Sequence, residues 1–506
     1  MRILYLDLDA LNPSHLSCYG YTRDTSPAID RIAEDGLRCD NVYTSDAPCL
    51  PSRTAFNQGR FGIQTGVVGH GGTAADLRIQ GPGRAIRSCF EDDALPRQLQ
   101  LAGVHTAMIS PFGQRHAAHH IYAGFSEFYN TGKLGKESAE HVMPVVSRWL
   151  GEHAADDDWY LHVNFWDIHA PYRTPLTYGN PFDHSPLPDM YTPELIADHA
   201  RRGGPHSSRD LGMYDDPDTE QYPRLPLRAD TPEGLKMWID GCDTAIHYVD
   251  RAIASIVKTL KDAGVYEDTA IIISADHGEN QGHLGIYGEH GTADHATCRV
   301  PFIIKWPGGV RGKVDEQLHY HLDWAPTLTK LLSEDQAIPP QWDGQAFVDT
   351  VLHGVPQGRD ELILSQCAHV CQRAVRFDQH NSDITRRWLY IRTYHDGFHP
   401  FPKHMLFDLM SDPLEQNNLA LLHHEVVREA SFKLAEWHDA QMAKMALTSG
   451  SVIDPLWTVM SEGGPFYAQS QPGHGQPQAG LARYLDRLEN TDRPEAAKRL
   501  RDQYSS

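Results

Sequence analysis

Cys49-Leu-Pro-Ser-Arg53 places a thiol one helical turn before a guanidinium. Pro51 and Ser52 break strand character and favour a helix start, so Arg53 stands one turn from Cys49, where it can hold an anion. Three other polar groups follow apolar runs: Asp7 and Asp9 at residues 3–8, Asp167 and His169 after 159–165, and Asp276-His277 after 270–274. In an open α/β sheet, sites form outside the carboxyl ends of strands. The three strand ends therefore converge acids and imidazoles on one edge. Each group alone has a blander reading. A lone Cys-x-Pro-x-Arg is mostly a buried thiol at a helix start, Asp276 and His277 can cap a strand, and His169 can be a hydrogen-bonded core histidine.

The elements that must position these residues alternate between strand and helix, which predicts an α/β fold with a mostly parallel central sheet flanked by helices. Strands are expected at 3–8, 104–110, 159–165 and 270–274. Helices are expected from Ser26-Pro27 to the stop at Gly36, at 95–102 and at 137–152. Residues 232–263 carry Leu235, Trp238, Ile239, Cys242, Ile246, Val249, Ile253, Ile256, Val257 and Leu260 at helical spacing and read as one long core-packing helix. Residues 173–231, rich in Pro, Asp, His and Gly, read as an insertion that forms a lid or substrate wall. Near residue 375 the character changes. Strands at 388–392 and 405–409 and a helix at 426–445 predict a smaller α+β subdomain with a small antiparallel sheet. The expected division is a catalytic domain at 1–375, this subdomain at 376–450 and an extension at 451–506. The extension comprises a Gln/Pro/Gly linker at 469–478 and a charged helix at about 480–503, which packs on another subunit or stays solvated.

The chain has 506 residues, with 40% hydrophobic and 22% charged residues, the profile of a soluble globular protein. A net charge of −22 argues against nucleic acid or an anionic membrane as partner, so an anionic substrate must meet a local positive site. No run approaches a membrane span, and Met1-Arg2 passes into the first strand with no small-residue cleavage site, so a cytoplasmic location is expected. The eight cysteines (18, 39, 49, 89, 242, 298, 367, 371) lack the density of a disulfide framework, and Cys367 and Cys371 read as free thiols.

Longer segments carry a resemblance. Asp9-Ala-Leu-Asn-Pro-Ser-His-Leu-Ser-Cys-Tyr-Gly20, Thr25-Ser-Pro-Ala-Ile-Asp-Arg-Ile-Ala, the 49–59 helix, Arg299-Val-Pro-Phe-Ile-Ile-Lys-Trp-Pro-Gly and Leu406-Phe-Asp-Leu-Met-Ser-Asp-Pro-Leu-Glu-Gln-Asn-Asn-Leu resemble type I sulfatases of the alkaline-phosphatase superfamily. The resemblance spans the chain to about residue 420 and implies an alkaline-phosphatase-like core. It also implies that a maturation enzyme converts Cys49 to formylglycine. One hydroxyl of the hydrated aldehyde attacks a sulfate ester and the other expels sulfate by C–O cleavage.

The resemblance further implies one divalent metal on Asp9, modified Cys49, Asp276 and His277. Oxygen ligands favour calcium, and the imidazole leaves manganese or zinc open. Asp7 shares a strand face with Asp9 and is either an added ligand or a strand-end acceptor. Asp167-Ile-His169-Ala-Pro-Tyr resembles the family's His-x-Pro-Tyr segment, which makes His169 a candidate acid for the leaving oxygen. Where the family commonly has a lysine, nine residues before Arg-Val-Pro, this chain has His290. The family's Gly-Lys-x-His element is replaced by Ser110-Pro-Phe-Gly-Gln-Arg115-His116, so Arg115 and His116 are candidates for its role. His119, His120, His283 and His295 read as structural or substrate-wall residues.

The expected function is hydrolysis of a sulfate monoester of a small molecule or sugar by a homo-oligomer, a dimer or tetramer. One rival is a phosphonate monoester hydrolase or phosphodiesterase with the same formylglycine and metal. Another is a catalytically silent binding protein. A superfamily phosphatase or mutase would use an unmodified Ser or Thr and usually two metals.

Overall fold

The computed structural model describes residues 1–78, 90–381, 384–448, 452–462, 464–465 and 479–504. Cys89 and the expected linker at 469–478 lie outside the described residues. Thirteen strands are described: β1 (Arg2–Leu8), β2 (Leu37–Tyr43), β3 (Asp46–Ala47), β4 (His105–Ile109), β5 (Glu127–Tyr129), β6 (Trp159–Phe165), β7 (Thr269–Ser274), β8 (Arg299–Lys305), β9 (Lys313–Tyr320), β10 (Glu361–Gln366), β11 (Cys371–Asn381), β12 (Ile384–His395) and β13 (His404–Asp408).

Eight of them form the main sheet, in the order β5-β4-β6-β1-β7-β8-β2-β9. β8 runs antiparallel to both neighbours and the other pairings are parallel. The central strands are buried along their length, which is why apolar residues dominate them in the sequence, with His162 and Asn164 the buried polar residues of β6. The helix Pro232–Asp262 packs into one core with this sheet. It starts where the Thr231 side chain accepts from Gly234 N at 3.1 Å, and it buries Leu235, Ile239, Ile246, Val249 and Ile253. Its Asp250 accepts from Ala28 N and Ile29 N at 2.9–3.0 Å, capping the helix Pro27–Glu34 from a distance.

The second sheet has the order β13-β12-β11-β10-β3. Its first C-terminal strand begins at Glu361, ahead of the change of character near residue 375. Alternate residues bury alternate faces. Ile363, Val375, Trp388, Tyr390 and Leu406 pack with Val426, Ala430 and Leu434 of the helix His424–Thr448. Leu362, Leu364, Ala374, Leu389, Ile391 and Phe407 pack towards Ala55, Phe61, Ile63 and Tyr320. One edge of this sheet is β3, whose Asp46 and Ala47 pair in parallel with Ser365 and Gln366. The C-terminal sheet is thereby tied to the segment just before Cys49.

The charged helix expected at about 480–503 is two helices, Ala479–Asn490 and Pro494–Tyr504. Asp492 has φ +56° and Pro494 opens the second helix, so the first cannot continue through the junction. Their apolar faces are covered within the same chain. Tyr484, Leu488, Ala497 and Leu500 cluster with Phe398, and Met213 and Tyr214 of the 173–231 insertion pack against them. Asp210, also in the insertion, accepts from Arg487 Nε at 2.5 Å, Arg493 Nη1 at 2.6 Å and Tyr484 OH at 3.0 Å. Cys367 and Cys371 are both buried and both free thiols.

Candidate active site

Cys49 opens the helix Cys49–Gln58, and every residue of that helix is buried. Pro51 sits in the first turn, where no backbone N–H is needed, and Gly59 at φ +59° ends the helix. The start is fixed from outside. The Thr44 hydroxyl donates to Ser52 Oγ at 2.8 Å, and Ser52 Oγ donates to the Asp276 carbonyl at 2.5 Å. The first turn therefore faces the carboxyl ends of β1 and β7, with its Leu50 N–H directed at His70 and its Ser52 N–H at the Pro48 carbonyl.

Arg53 meets three carboxylates there. It donates to Asp7, to Asp9 Oδ2 at 2.8 Å, and lies 3.1 Å from Asp276 Oδ2. Its guanidinium also lies 4.6 Å from the Phe112 ring centroid. Asp276 Oδ1 accepts from His277 N at 3.0 Å and Ala10 N at 3.3 Å. Asp9 Oδ1, Asp7 Oδ1 and Asp276 Oδ2 are buried without a hydrogen bond. Orphaned carboxylate oxygens in so dry a place are costly unless a cation takes them.

The donor atoms of Asp9, Cys49, Asp276 and His277 lie within 4.8 Å of one another, so the chemistry of the set fits a divalent ion. Asp7 stands outside that group. Burial alone would raise its carboxyl, but Arg53 and His162, whose Nε2 is 3.1 Å away, bring it down to about 2. Asp276 is raised, chiefly by burial, against the pull of Arg53. Burial first, then Asp9 and Asp276, push the Cys49 thiol far up. An unmodified cysteine here stays protonated and is a poor nucleophile unless a cation binds it.

On the far side of Cys49 the imidazoles gather. His277 Nε2 lies 3.0 Å from Cys49 Sγ, and the His290 ring stacks on His277 with centroids 4.3 Å apart. His169 meets His290 edge-on at 4.8 Å. Cys49, His169, His277 and His290 form a second group of donor atoms within 4.8 Å. Burial, then Arg173, lowers His169 to about 3, and burial, then His277, holds His290 well below the usual range. The turn carrying His169 is clamped by Arg173 Nη1, which donates to the carbonyls of Trp166, His169 and Pro171 at 3.0, 2.8 and 3.1 Å. Arg115 is exposed, with its guanidinium 4.5 Å from the Trp166 ring centroid. His116 stacks on Phe112 at 4.4 Å and is lowered to about 3, mainly by burial. His120 bonds Thr54 Oγ1 at 2.9 Å and His295 bonds Tyr43 OH at 2.9 Å.

Several neighbours of the site went unnoticed in the sequence. His70 Nε2 is 3.5 Å from Leu50 N and, with Cys367, His369 and Val459, lines a cavity of about 140 Å³. Glu289 holds His206 at 3.0 Å and His369 at 3.5 Å, and lies 3.8 Å from His290. Glu289 stands beside a residue already singled out, which was its available signal. His70 and His369 sit in loops without periodicity and carried none.

A family model described as Sulfatase matches residues 2–334. The chain belongs to the sulfatase family of enzymes, with an alkaline-phosphatase-like fold. It is 25% identical over 499 residues to an N-acetylgalactosamine-6-O-sulfatase of Bacteroides thetaiotaomicron, covering 85% of this chain and 91% of that protein. It is 22% identical over 370 residues to an arylsulfatase of Hemicentrotus pulcherrimus, covering 70% of this chain but 62% of that longer protein. A solved structure of a protein with its substrate D-glucosamine-2-N,6-O-disulfate superposes with a TM-score of 0.68 at 18% identity, covering 87% of this chain and 98% of that one. The phosphonate monoester hydrolase of Agrobacterium radiobacter superposes with a TM-score of 0.62 at 20% identity, covering 87% and 96%.

Proposed function

We propose that the protein hydrolyses sulfate monoesters, with formylglycine made from Cys49 by a maturation enzyme and one divalent ion held by Asp9, position 49, Asp276 and His277. The observation that carries this reading is the mutual approach, within 4.8 Å, of donor atoms from those four residues, with the Arg53 guanidinium 2.8 Å from one of the carboxylates. The hydrated aldehyde supplies two geminal hydroxyls, one to attack sulfur and one to drive release of sulfate by C–O cleavage. The ion supplies positive charge for the sulfate oxygens and lowers the pKa of the attacking hydroxyl. Two carboxylates make calcium the first choice of ion, with manganese or zinc as alternatives that His277 accepts.

The chain's own residues do the rest. Arg53 fixes the carboxylates and offers its charge to the bound anion. The Cys49–Gln58 helix turns the positive end of its dipole towards the same anion. His169 and His290 stand beside position 49; both are held neutral by burial, so either must take up a proton as the anionic ester binds before passing it to the departing alcohol. His116 and Arg115 lie further out, where they would meet the alcohol part or an outer sulfate oxygen. The cavity beside His70 and His369 would receive that alcohol. Sulfated sugars are the substrate class we favour, since the sugar sulfatases among the relatives and a substrate-bound neighbour act on such esters. We keep a homo-oligomer as part of the proposal.

The specific observation favouring phosphonate or phosphate diesters instead is His290, a neutral imidazole where the family usually carries a lysine, together with the likeness to a phosphonate monoester hydrolase. One experiment separates the readings. The chain is produced with a maturation enzyme, and the Cys49 peptide is weighed for the loss of about 18 Da that accompanies thiol-to-aldehyde conversion. The product is then given aryl sulfate and aryl phosphonate esters side by side. Conversion with a higher kcat/KM on the sulfate is expected. Preference for the phosphonate would move the assignment to the second reading. A fully unconverted, inactive chain would move it to a silent binding protein.

A further inference from the structure

Two donor sets meet at Cys49 and His277. Asp9 and Asp276 complete one with carboxylate oxygen, and His169 and His290 complete the other with imidazole nitrogen. The function proposed above uses the first. The second is a Cys-His-His-His set, a composition that borderline transition ions accept and calcium or magnesium do not.

The rings are already oriented for ligation. His277 Nδ1 lies 2.8 Å from the Gly278 carbonyl and His169 Nδ1 lies 2.5 Å from the Ala170 carbonyl. A carbonyl only accepts, so both rings carry their proton on Nδ1 and present Nε2 as a lone pair. His277 aims that lone pair at Cys49 Sγ, 3.0 Å away. His290 is 7% exposed and its Nδ1 makes no hydrogen bond, with Glu289 Oε1 3.8 Å away and beyond hydrogen-bond reach. A tetrahedral shell with bonds of about 2.0–2.3 Å needs donor separations of roughly 3.3–3.8 Å. With all donors within 4.8 Å, the loosest pair closes by about an ångström, a movement open to the half-buried His169.

We propose that the chain with Cys49 unconverted binds one divalent ion of the zinc class on Cys49 Sγ, His169, His277 and His290. Binding releases the thiol proton to solvent and forms a metal–thiolate bond, with no change of oxidation state. The single free lone pair of His277 serves one ion at a time, so the nitrogen-rich and oxygen-rich sets are alternative seats. Conversion of position 49 removes the thiolate and tips the balance to the oxygen-rich seat. That last step rests on the formylglycine reading, whereas the binding itself does not.

The test uses the full-length chain made without a maturation enzyme, stripped by chelator and titrated with Co²⁺ and then Zn²⁺. A thiolate-to-cobalt charge-transfer band that saturates at one equivalent and is abolished by Zn²⁺ is expected. Zn²⁺, but not excess Ca²⁺, should protect the Cys49 peptide from alkylation. His290→Asn and His169→Gln should each weaken Zn²⁺ binding roughly 10- to 100-fold, and Asp9→Asn by less than about threefold. His169 is partly exposed, so its variant serves if His290→Asn does not fold. Absence of the band in the unaltered chain overturns the proposal, as does an Asp9→Asn loss equal to that of the histidine variants, which would seat the ion among the carboxylates.

Discussion

Arg53 donates to Asp9 Oδ2 at 2.8 Å, joining the cation of the Cys49 helix to the acid that ends β1. The same guanidinium reaches Asp7, so it works as a fork between a carboxylate of β1 and one just past its end. Lysine has the charge but not the fork. Arg53→Lys should lower kcat/KM on an aryl sulfate by roughly 10- to 100-fold, the worth of one or two charge-assisted hydrogen bonds. Rates are divided by the fraction of position 49 converted, measured by mass. An unchanged normalised rate would remove Arg53 from the anion site.

Cys49→Ala should retain the thermal transition and lose turnover by about three orders of magnitude or more, as removal of a nucleophile does. The fold should persist because alanine fits a helix start and Cys49 forms no disulfide. Turnover equal to the parent would sink the nucleophile assignment outright.

If His169 or His290 protonates the leaving oxygen, its removal should matter most where the alcohol leaves poorly. His169→Ala and His290→Ala are compared on 4-nitrophenyl sulfate and on a sugar sulfate. The expected loss on the sugar ester is about 10²- to 10⁴-fold for the true acid, with a much smaller loss on the activated aryl ester. Equal losses on both would make the residue a binding group.

Asp210 is buried against Arg487 and Arg493, which pull its carboxyl below the ordinary range although burial alone would raise it. A depressed carboxylate contributes stability above its unfolded pKa and loses it as the pH falls through the folded value. Asp210→Asn should therefore cost about 3 kcal/mol at pH 6, because it takes the shared carboxylate from the buried Arg487 and the half-buried Arg493, leaving Arg487 with Asp216 alone as a charged partner. The difference from the parent should shrink as the pH is taken below about 3.8. Scanning calorimetry at pH 6 and at low pH reads both, and proteolysis at pH 6 should release the 479–504 helices first.

Much of the core was legible because its strands have no choice of face. Arg2–Leu8, Trp159–Phe165 and Thr269–Ser274 are covered on both sides, so apolar residues dominate them, with Asp7, His162 and Asn164 among the buried polar exceptions, and they stop where polarity begins. The site residues Asp9, Asp276 and His277 stand at those stops. β9 escaped because Lys313-Val-Asp-Glu-Gln-Leu-His-Tyr320 is exposed over half its length and its polar residues mask the alternation. β3 escaped because two residues cannot establish a period. The single helix expected at the C-terminus failed at Pro494, a local signal that the surrounding charged pattern obscured. His70 and His369 reach the site through tertiary contacts alone, and no local spacing announces those.

The pairing of Asp46 and Ala47 with Ser365 and Gln366 sets an order of events during synthesis. When the Cys49 segment emerges, the strand that will flank it has not yet been made. The segment has no partner until β10 follows, so the thiol that ends 3% exposed in the finished fold passes first through a stage as open chain. Under the proposed conversion of Cys49, that interval is when a modifying enzyme would reach the backbone around it. Arrival of the small sheet would then close it, making a strand pairing the timer of that step.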